Sequence, residues 1–435
     1  MTAAPASAAE WQVTDAPHGH VLTNAGVWSP DGRRIVYDTR PDAEGAVFDG
    51  EHIETVDVET GEVRRLYTSR RGARCGVVTF HPREDRVVFI LGPEDPTPDW
   101  QYGVAHRQGV LVDGDRPGVA VNLDARDLTP PFTPGALRGG SHVHVFHPGG
   151  DWVSFTYDDH LLPSLPRNVG VAVPRPVAVK RDHPRNHDGA YFSVLVTRTV
   201  ADPRPGSDEI RRAFEEGWIG ADGYARPDGT RQRRALAFQG EVTAADGSPL
   251  SEVFVADLPD DLTVPSDHGP LAGTETRPPL PPRGVTQRRL TFTADRRYPG
   301  IQGPRHWLRG APGGNAIAFL MRDDLGVAQL WTVSPNGGPP RQVTRDPWGV
   351  ASAFTWSPDG ARIAYAADNS IFTVAVATGE SRRVTPRVPG ADAPLPLACI
   401  FSPDGARIAY LRRVPGPDGT TRHNQVFVAR CPDTA

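Results

Sequence analysis

The phrase Ser-Pro-Asp-Gly, set between two short alternating apolar runs, recurs along this chain and restricts its fold more than any other feature. Its clearest copies are Val27–Asp38 (VWSPDGRRIVYD), Thr355–Ala366 (TWSPDGARIAYA) and Ile400–Leu411 (IFSPDGARIAYL). Weaker copies are Thr79–Ile90, Val145–Thr156 and Gly310–Met321. Each reads as a hairpin: alternating apolar residues lead in, Pro and Asp-Gly make the turn, and Ile/Val-x-Tyr/Phe leads out. A third strand follows most copies, as at Ile53–Val58, Gln329–Val333, Ile371–Val376 and Gln425–Ala429. After a Gly turn comes a closing strand with an Arg-x-Leu/Val-Thr flavour, as at Arg64–Thr68, Arg341–Thr344 and Arg382–Thr385. Four strands per repeat make a propeller blade.

The turn prolines Pro30, Pro82, Pro148, Pro312, Pro358 and Pro403 set the period. A blade takes about 40–50 residues, so the long gap between Pro148 and Pro312 holds one extra blade, assigned to Tyr191–Thr199, Ala235–Gly240, Glu252–Leu258 and Arg288–Thr291. The expectation is an all-β, seven-bladed β-propeller with four-stranded blades, a single domain over residues 1–435. Its last blade lacks a fourth strand, and Trp11–Asp15 (WQVTD) reads as a displaced copy that closes the ring. Gly and Pro number 45 each, which suits many tight turns. Pro93–Gly109 and about 161–234 stand outside the repeat. The second is expected as a long insertion over one face, with a short helix capped by Ser207 and running from Glu209 to Glu216. Asp260–Gly284 is a further Pro-rich loop.

A net charge of −5 without a basic stripe argues against a nucleic-acid partner. Cys75, Cys399 and Cys431 are scattered and lack CxxC spacing, which fits a reducing compartment. With neither a secretory leader pattern nor a run of about 18 apolar residues, the expectation is a cytoplasmic protein with no membrane partner. The oligomeric state is left open.

In a propeller the first strand of each blade lines the axial channel. The segments before the turns therefore carry the candidate chemistry: His18 and His20 in blade 1, Arg138, His142 and His144 in blade 3, and Arg305 and His306 in blade 5. Alternate strand residues share a face, so the His142-x-His144 pair with a histidine from another blade reads as a divalent-metal site. His81 and His147, each just before a turn proline, read as structural.

Four stretches, Pro17–Gly32, Thr133–Pro148, Arg204–Trp218 and Gln287–Trp307, resemble the bacterial DUF3748 (YidR-like) proteins, and the repeats resemble TolB-type propellers. More distantly the chain is similar to oligogalacturonate lyases. In those, a Gln-x-x-His-x-His run before an SPDG-like turn and a separate histidine hold a manganese-type ion. His142 and His144 match the run, Gly139 falls where the glutamine would stand, and His306 is the counterpart of the separate histidine. His18 or His20 would replace the missing ligand. The resemblance implies a small anionic, sugar-acid-like substrate and β-elimination, with Arg138, Arg305 and Arg322 binding the substrate carboxylate. Isomerase or redox chemistry at the same site, or a non-catalytic interaction platform, are the alternatives.

Overall fold

The computed structural model describes residues 9–41 and 44–431. Seven antiparallel blades form a propeller. Among the described residues the only helical element is a 3-10 turn at Gly390–Asp392, and no helix is long and apolar enough to cross a membrane. Blade 1 comprises Arg34–Asp38, His52–Asp57 and Val63–Thr68, and its inner edge is reduced to the single pairings Val21–Asp38 and Trp28–Ile35. In blade 2 the strands are Cys75–Phe80, Arg86–Leu91, Gln108–Asp113 and Ala120–Asn122. Those of blade 3 are Gly139–Phe146, Val153–Asp159, Asn168–Val173 and Phe192–Leu195. Blade 4 has Ile210–Trp218, Arg234–Thr243, Pro249–Leu258 and Thr286–Arg289. Blades 5 and 6 start at Arg309–Gly310 and Thr355–Trp356, and blade 7 at Pro394–Phe401.

The recurring turn is held by its own side chains. Ser29 donates to Asp31 at 2.5 Å, and its oxygen accepts from the Arg34 backbone N–H at 2.9 Å. Ser357 and Ser402 do the same with Asp359 and Asp404. Gly32, Gly360 and Gly405 sit at φ of 68–72°, where a Cβ is disfavoured. In blades 2 and 3 a histidine replaces the serine. His81 Nδ1 accepts from the Arg83 and Glu84 N–H groups, and His147 Nδ1 from Gly149. These two histidines are turn residues, as the sequence suggested.

Ring closure also follows the sequence. Glu10–Gln12 pairs antiparallel with Phe427–Ala429 as the outer strand of blade 7. The Trp11 indole donates to the Val58 carbonyl of blade 1 at 3.0 Å, and Glu10 pairs with Arg412 at 3.0 Å. One short segment thus joins the first blade to the last.

Three expectations are corrected. The segment expected as a helix over Glu209–Glu216 is the inner strand of blade 4, Ile210–Trp218. Its register slips between Ile210 and Ala213 and again between Phe214 and Gly217. Two extra residues convert a period-2 pattern into apolar positions three and four apart, which imitates a helix. Tyr191–Thr199 is not the start of the extra blade: Phe192–Leu195 is the outer strand of blade 3. With Asn168–Val173 also in blade 3, much of 161–234 is blade and not insertion.

Candidate site at the channel mouth

The inner strands of blades 2, 3 and 4 share one irregularity. Register breaks lie between Gly76 and Thr79, His142 and Val145, and Phe214 and Gly217. Each break holds one extra residue, with Val77, Val143 and Glu215 at φ of +59°, +53° and +55°. A left-handed conformation costs a non-glycine residue roughly 1–3 kcal/mol, and strain of this kind clusters at functional sites, which makes this level of the ring the candidate site. All three residues line one cavity of about 790 Å³, whose walls come from blades 1, 2, 3, 4, 5 and 7. A cavity walled by that many blades lies at a mouth of the axial channel.

The residue after each bulge turns away beneath the mouth. In blade 3 it is His144 and in blade 4 Glu216, both essentially unexposed. Neither ring nitrogen of His144 and neither carboxylate oxygen of Glu216 has a hydrogen-bond partner among the described residues. Burial lowers the His144 pKa to about 3, helped by Arg107, and raises that of Glu216 to about 7. A carboxyl raised in the folded state stabilises the fold below its unfolded pKa of 4.5, and that stability is lost as pH rises through about 7. Glu216→Gln is therefore expected to resist alkaline destabilisation. Its advantage over the parent in melting experiments should grow by on the order of 3 kcal/mol between about pH 4 and pH 8; an unchanged pH profile would show that Glu216 titrates normally.

The mouth is rich in arginine. Arg40 pairs with Asp38 at 2.7 Å, Arg167 with Asp158 at 2.9 Å, Arg212 with Glu241 at 3.0 Å and Arg305 with Glu215 at 3.0 Å. Arg107 also lines the cavity and is buried, yet it has no carboxylate partner among the described residues, and its Nε is shut off without a hydrogen bond. Glu44, at the rim, is exposed. His142 lines the same cavity with Nδ1 buried and unpartnered. Burial, then the guanidiniums of Arg107, Arg167 and Arg305, hold its pKa well below the usual imidazole range, so the ring is neutral at physiological pH.

Arg107 is positioned by the Pro93–Gly109 connection, which folds over the inner strand of blade 3. A Cβ on Gly140 would lie 2.1 Å from the Val104 carbonyl oxygen, so only glycine lets the connection rest there. Buried Arg126 donates to the carbonyls of Arg107 at 2.6 Å and His106 at 3.3 Å. The Trp100 ring stacks on His106 at 3.9 Å, and Phe48 stacks on Tyr102 at 4.4 Å.

Of the histidines and arginines singled out from sequence, His142 and Arg305 line the mouth, and so do Thr23 and Asn24 of the blade 1 inner segment. His144 lies beneath it. His306 donates through Nδ1 to the Pro304 carbonyl at 2.9 Å and accepts at Nε2 from Leu320 N–H at 3.1 Å, so both ring nitrogens hold the backbone. His18 stacks on His20 at 4.5 Å, and His20 Nδ1 meets the Asn424 carbonyl at 2.9 Å. Neither lines the cavity. Arg138 is fully buried, with Asp159 and two backbone carbonyls as partners, and Arg322 is exposed over the Tyr298 ring and does not line the cavity. Both are structural or peripheral where a carboxylate-binding role was expected. Among the described residues no three His, Cys, Asp or Glu side chains are gathered to hold a metal ion. The residues as placed do not fit the divalent-metal site expected from sequence. Arg107 was missed because its part depends on how an irregular connection folds back; the cluster of Trp100, Tyr102 and Arg107 within it was the available signal.

Comparison with known proteins adds relatives. Residues 74–187 match the family described as "Protein of unknown function (DUF3748)". The "Uncharacterized protein YidR" of Escherichia coli (strain K12) is 48% identical over 394 residues, covering 88% of this chain and 91% of the relative. Among solved structures, an oligogalacturonate lyase in complex with manganese superposes with a TM-score of 0.57 at 11% identity, over 98% of this chain and 93% of the other. The oligogalacturonate lyase of Vibrio parahaemolyticus gives 0.54 at 10%, over 98% and 94%. At these identities the likeness to the lyases is one of fold.

Proposed function

This chain belongs to the family of Escherichia coli YidR, the DUF3748 family, and from that premise we propose that its channel mouth binds a small anionic, sugar-acid-like substrate and acts on it as a lyase, by β-elimination. The observation that carries the reading is Arg107, a buried guanidinium on the cavity wall without a carboxylate partner. A buried charge without a counter-ion is costly, and a ligand carboxylate relieves that cost. The guanidinium fork matches a carboxylate in two parallel hydrogen bonds. The substrate class is suggested by the two oligogalacturonate lyases of like fold.

In this reading Arg107 holds the uronate carboxylate and draws electron density from the adjacent C5. His142, kept neutral by burial and the surrounding guanidiniums, takes the C5 proton. The C5–H electron pair becomes the C4–C5 double bond, the C4–O bond breaks, and the departing oxygen is protonated by solvent at the open mouth. The substrate carboxylate offsets the positive field around His142, which makes the imidazole a better base when substrate is bound. The Arg305–Glu215 pair and Trp307 form part of the cavity wall.

Incubation with oligogalacturonides, followed by the ultraviolet absorbance of the unsaturated product, tests the proposal. Turnover is expected, and His142→Ala is expected to lower it about 10²-fold. Binding without any unsaturated product would replace the lyase reading with a carboxylate-binding propeller.

A further inference from the structure

We infer that the mouth holds its ligand's carboxylate through Arg107 directly, with no divalent ion between protein and ligand. The inference rests on the anion-site reading above and concerns how that site achieves binding. Three separate features of the chain lead to it.

The first is the state of the imidazole lone pairs. A histidine ligates a metal through a nitrogen that neither carries a proton nor accepts another hydrogen bond. Both nitrogens of His306 are committed to the backbone, one to Pro304 and one to Leu320. His20 donates through Nδ1 to the Asn424 carbonyl, which leaves Nε2 free, but the ring lies outside the cavity wall.

The second is the bulge. In an unbroken strand the side chains of His142 and His144 share a face. Val143, at φ +53° with the register broken around it, interrupts that pleat. His142 joins the cavity wall, while His144 sits under it beside Phe155 and against Gly109. Gly139, three positions before His142, has no room for a ligand of any kind, since a Cβ there would stand 2.1 Å from the Asp158 carbonyl oxygen.

The third is charge. A divalent ion at this mouth would face the guanidiniums of Arg40, Arg107, Arg167 and Arg305, of which Arg107 has no carboxylate partner among the described residues. The field that already opposes a proton on His142 opposes a double positive charge more strongly. It favours a carboxylate.

The test uses the full chain and digalacturonate as probe. Protein is stripped with EDTA, its metal content is checked by mass spectrometry, and calorimetric affinities are compared before and after manganese is added. Equal affinity in the two states is expected, with Arg107→Met weakening binding about 10- to 100-fold in both and Arg107→Lys weakening it less. Binding that appears only after manganese is added overturns the inference and leaves the anion site standing. Metal-free binding that is indifferent to Arg107→Met also overturns it. Absence of binding in every state defeats the anion-site reading itself, and the inference with it.

Discussion

Arg138→Met is expected to lower the unfolding free energy by about 3–5 kcal/mol, the range for removing one partner of a buried ion pair. Arg138 is 1% exposed. Its Nε donates to Asp159 at 2.9 Å, and its terminal nitrogens donate to the carbonyls of Thr274 and Arg277. Asp159 also accepts from the Tyr157 hydroxyl and the Leu162 N–H. The substitution leaves that buried carboxylate without its cation and frees two carbonyls of the Pro-rich 260–284 loop. Urea denaturation should register the loss, and limited proteolysis should show earlier cutting within 260–284. Arg138→Met combined with Asp159→Asn should recover part of it, because the stranded charge is then gone. A single variant as stable as the parent would mean that the loop is held by other contacts.

Removal of the chain through Gln12 is expected to cost about 5 kcal/mol or more, counting one large aromatic and the lost ladder bonds. The segment supplies three pairings to blade 7, the Trp11 bond to Val58 and the Glu10–Arg412 pair. Its loss uncovers the Phe427–Arg430 end of the strand Arg422–Arg430, which then offers unpaired backbone groups to other chains. Thermal unfolding should move down by many degrees, and size-exclusion chromatography should show self-association. A monomer melting where the parent melts would show that blades 1 and 7 close the ring without the segment.

The parts of the fold legible in the sequence are those whose local chemistry is self-contained. The Ser-Pro-Asp-Gly turns of blades 1, 6 and 7 and their histidine versions in blades 2 and 3 bond within a few residues of themselves, so these blades, the weaker copy in blade 5 and the closing strand can be read directly. Blade 4 begins with a strand that bulges twice, and its apolar spacing then imitates the wrong element. At the site, His142 was found because it stands in an inner strand just before a turn. His306 and Arg138 misled for the opposite reason. Their partners, Leu320 in one case and Thr274 and Arg277 in the other, come from segments whose approach is a matter of tertiary structure. Arg107 lies on an irregular connection, and its charge becomes informative only once the other mouth arginines are seen to be paired.

The bulges at Val77, Val143 and Glu215 also bear on how such a mouth can diversify. A bulged residue lies outside the ladder pairing of its blade, so its side chain can be exchanged without re-registering the strands behind it. Three consecutive blades already show two chemistries at this one level, an apolar valine in two of them and a carboxylate in the third. The mouth is in this sense a set of sockets on a constant frame, whose lining can be altered one blade at a time while the hairpins that carry the stability stay as they are.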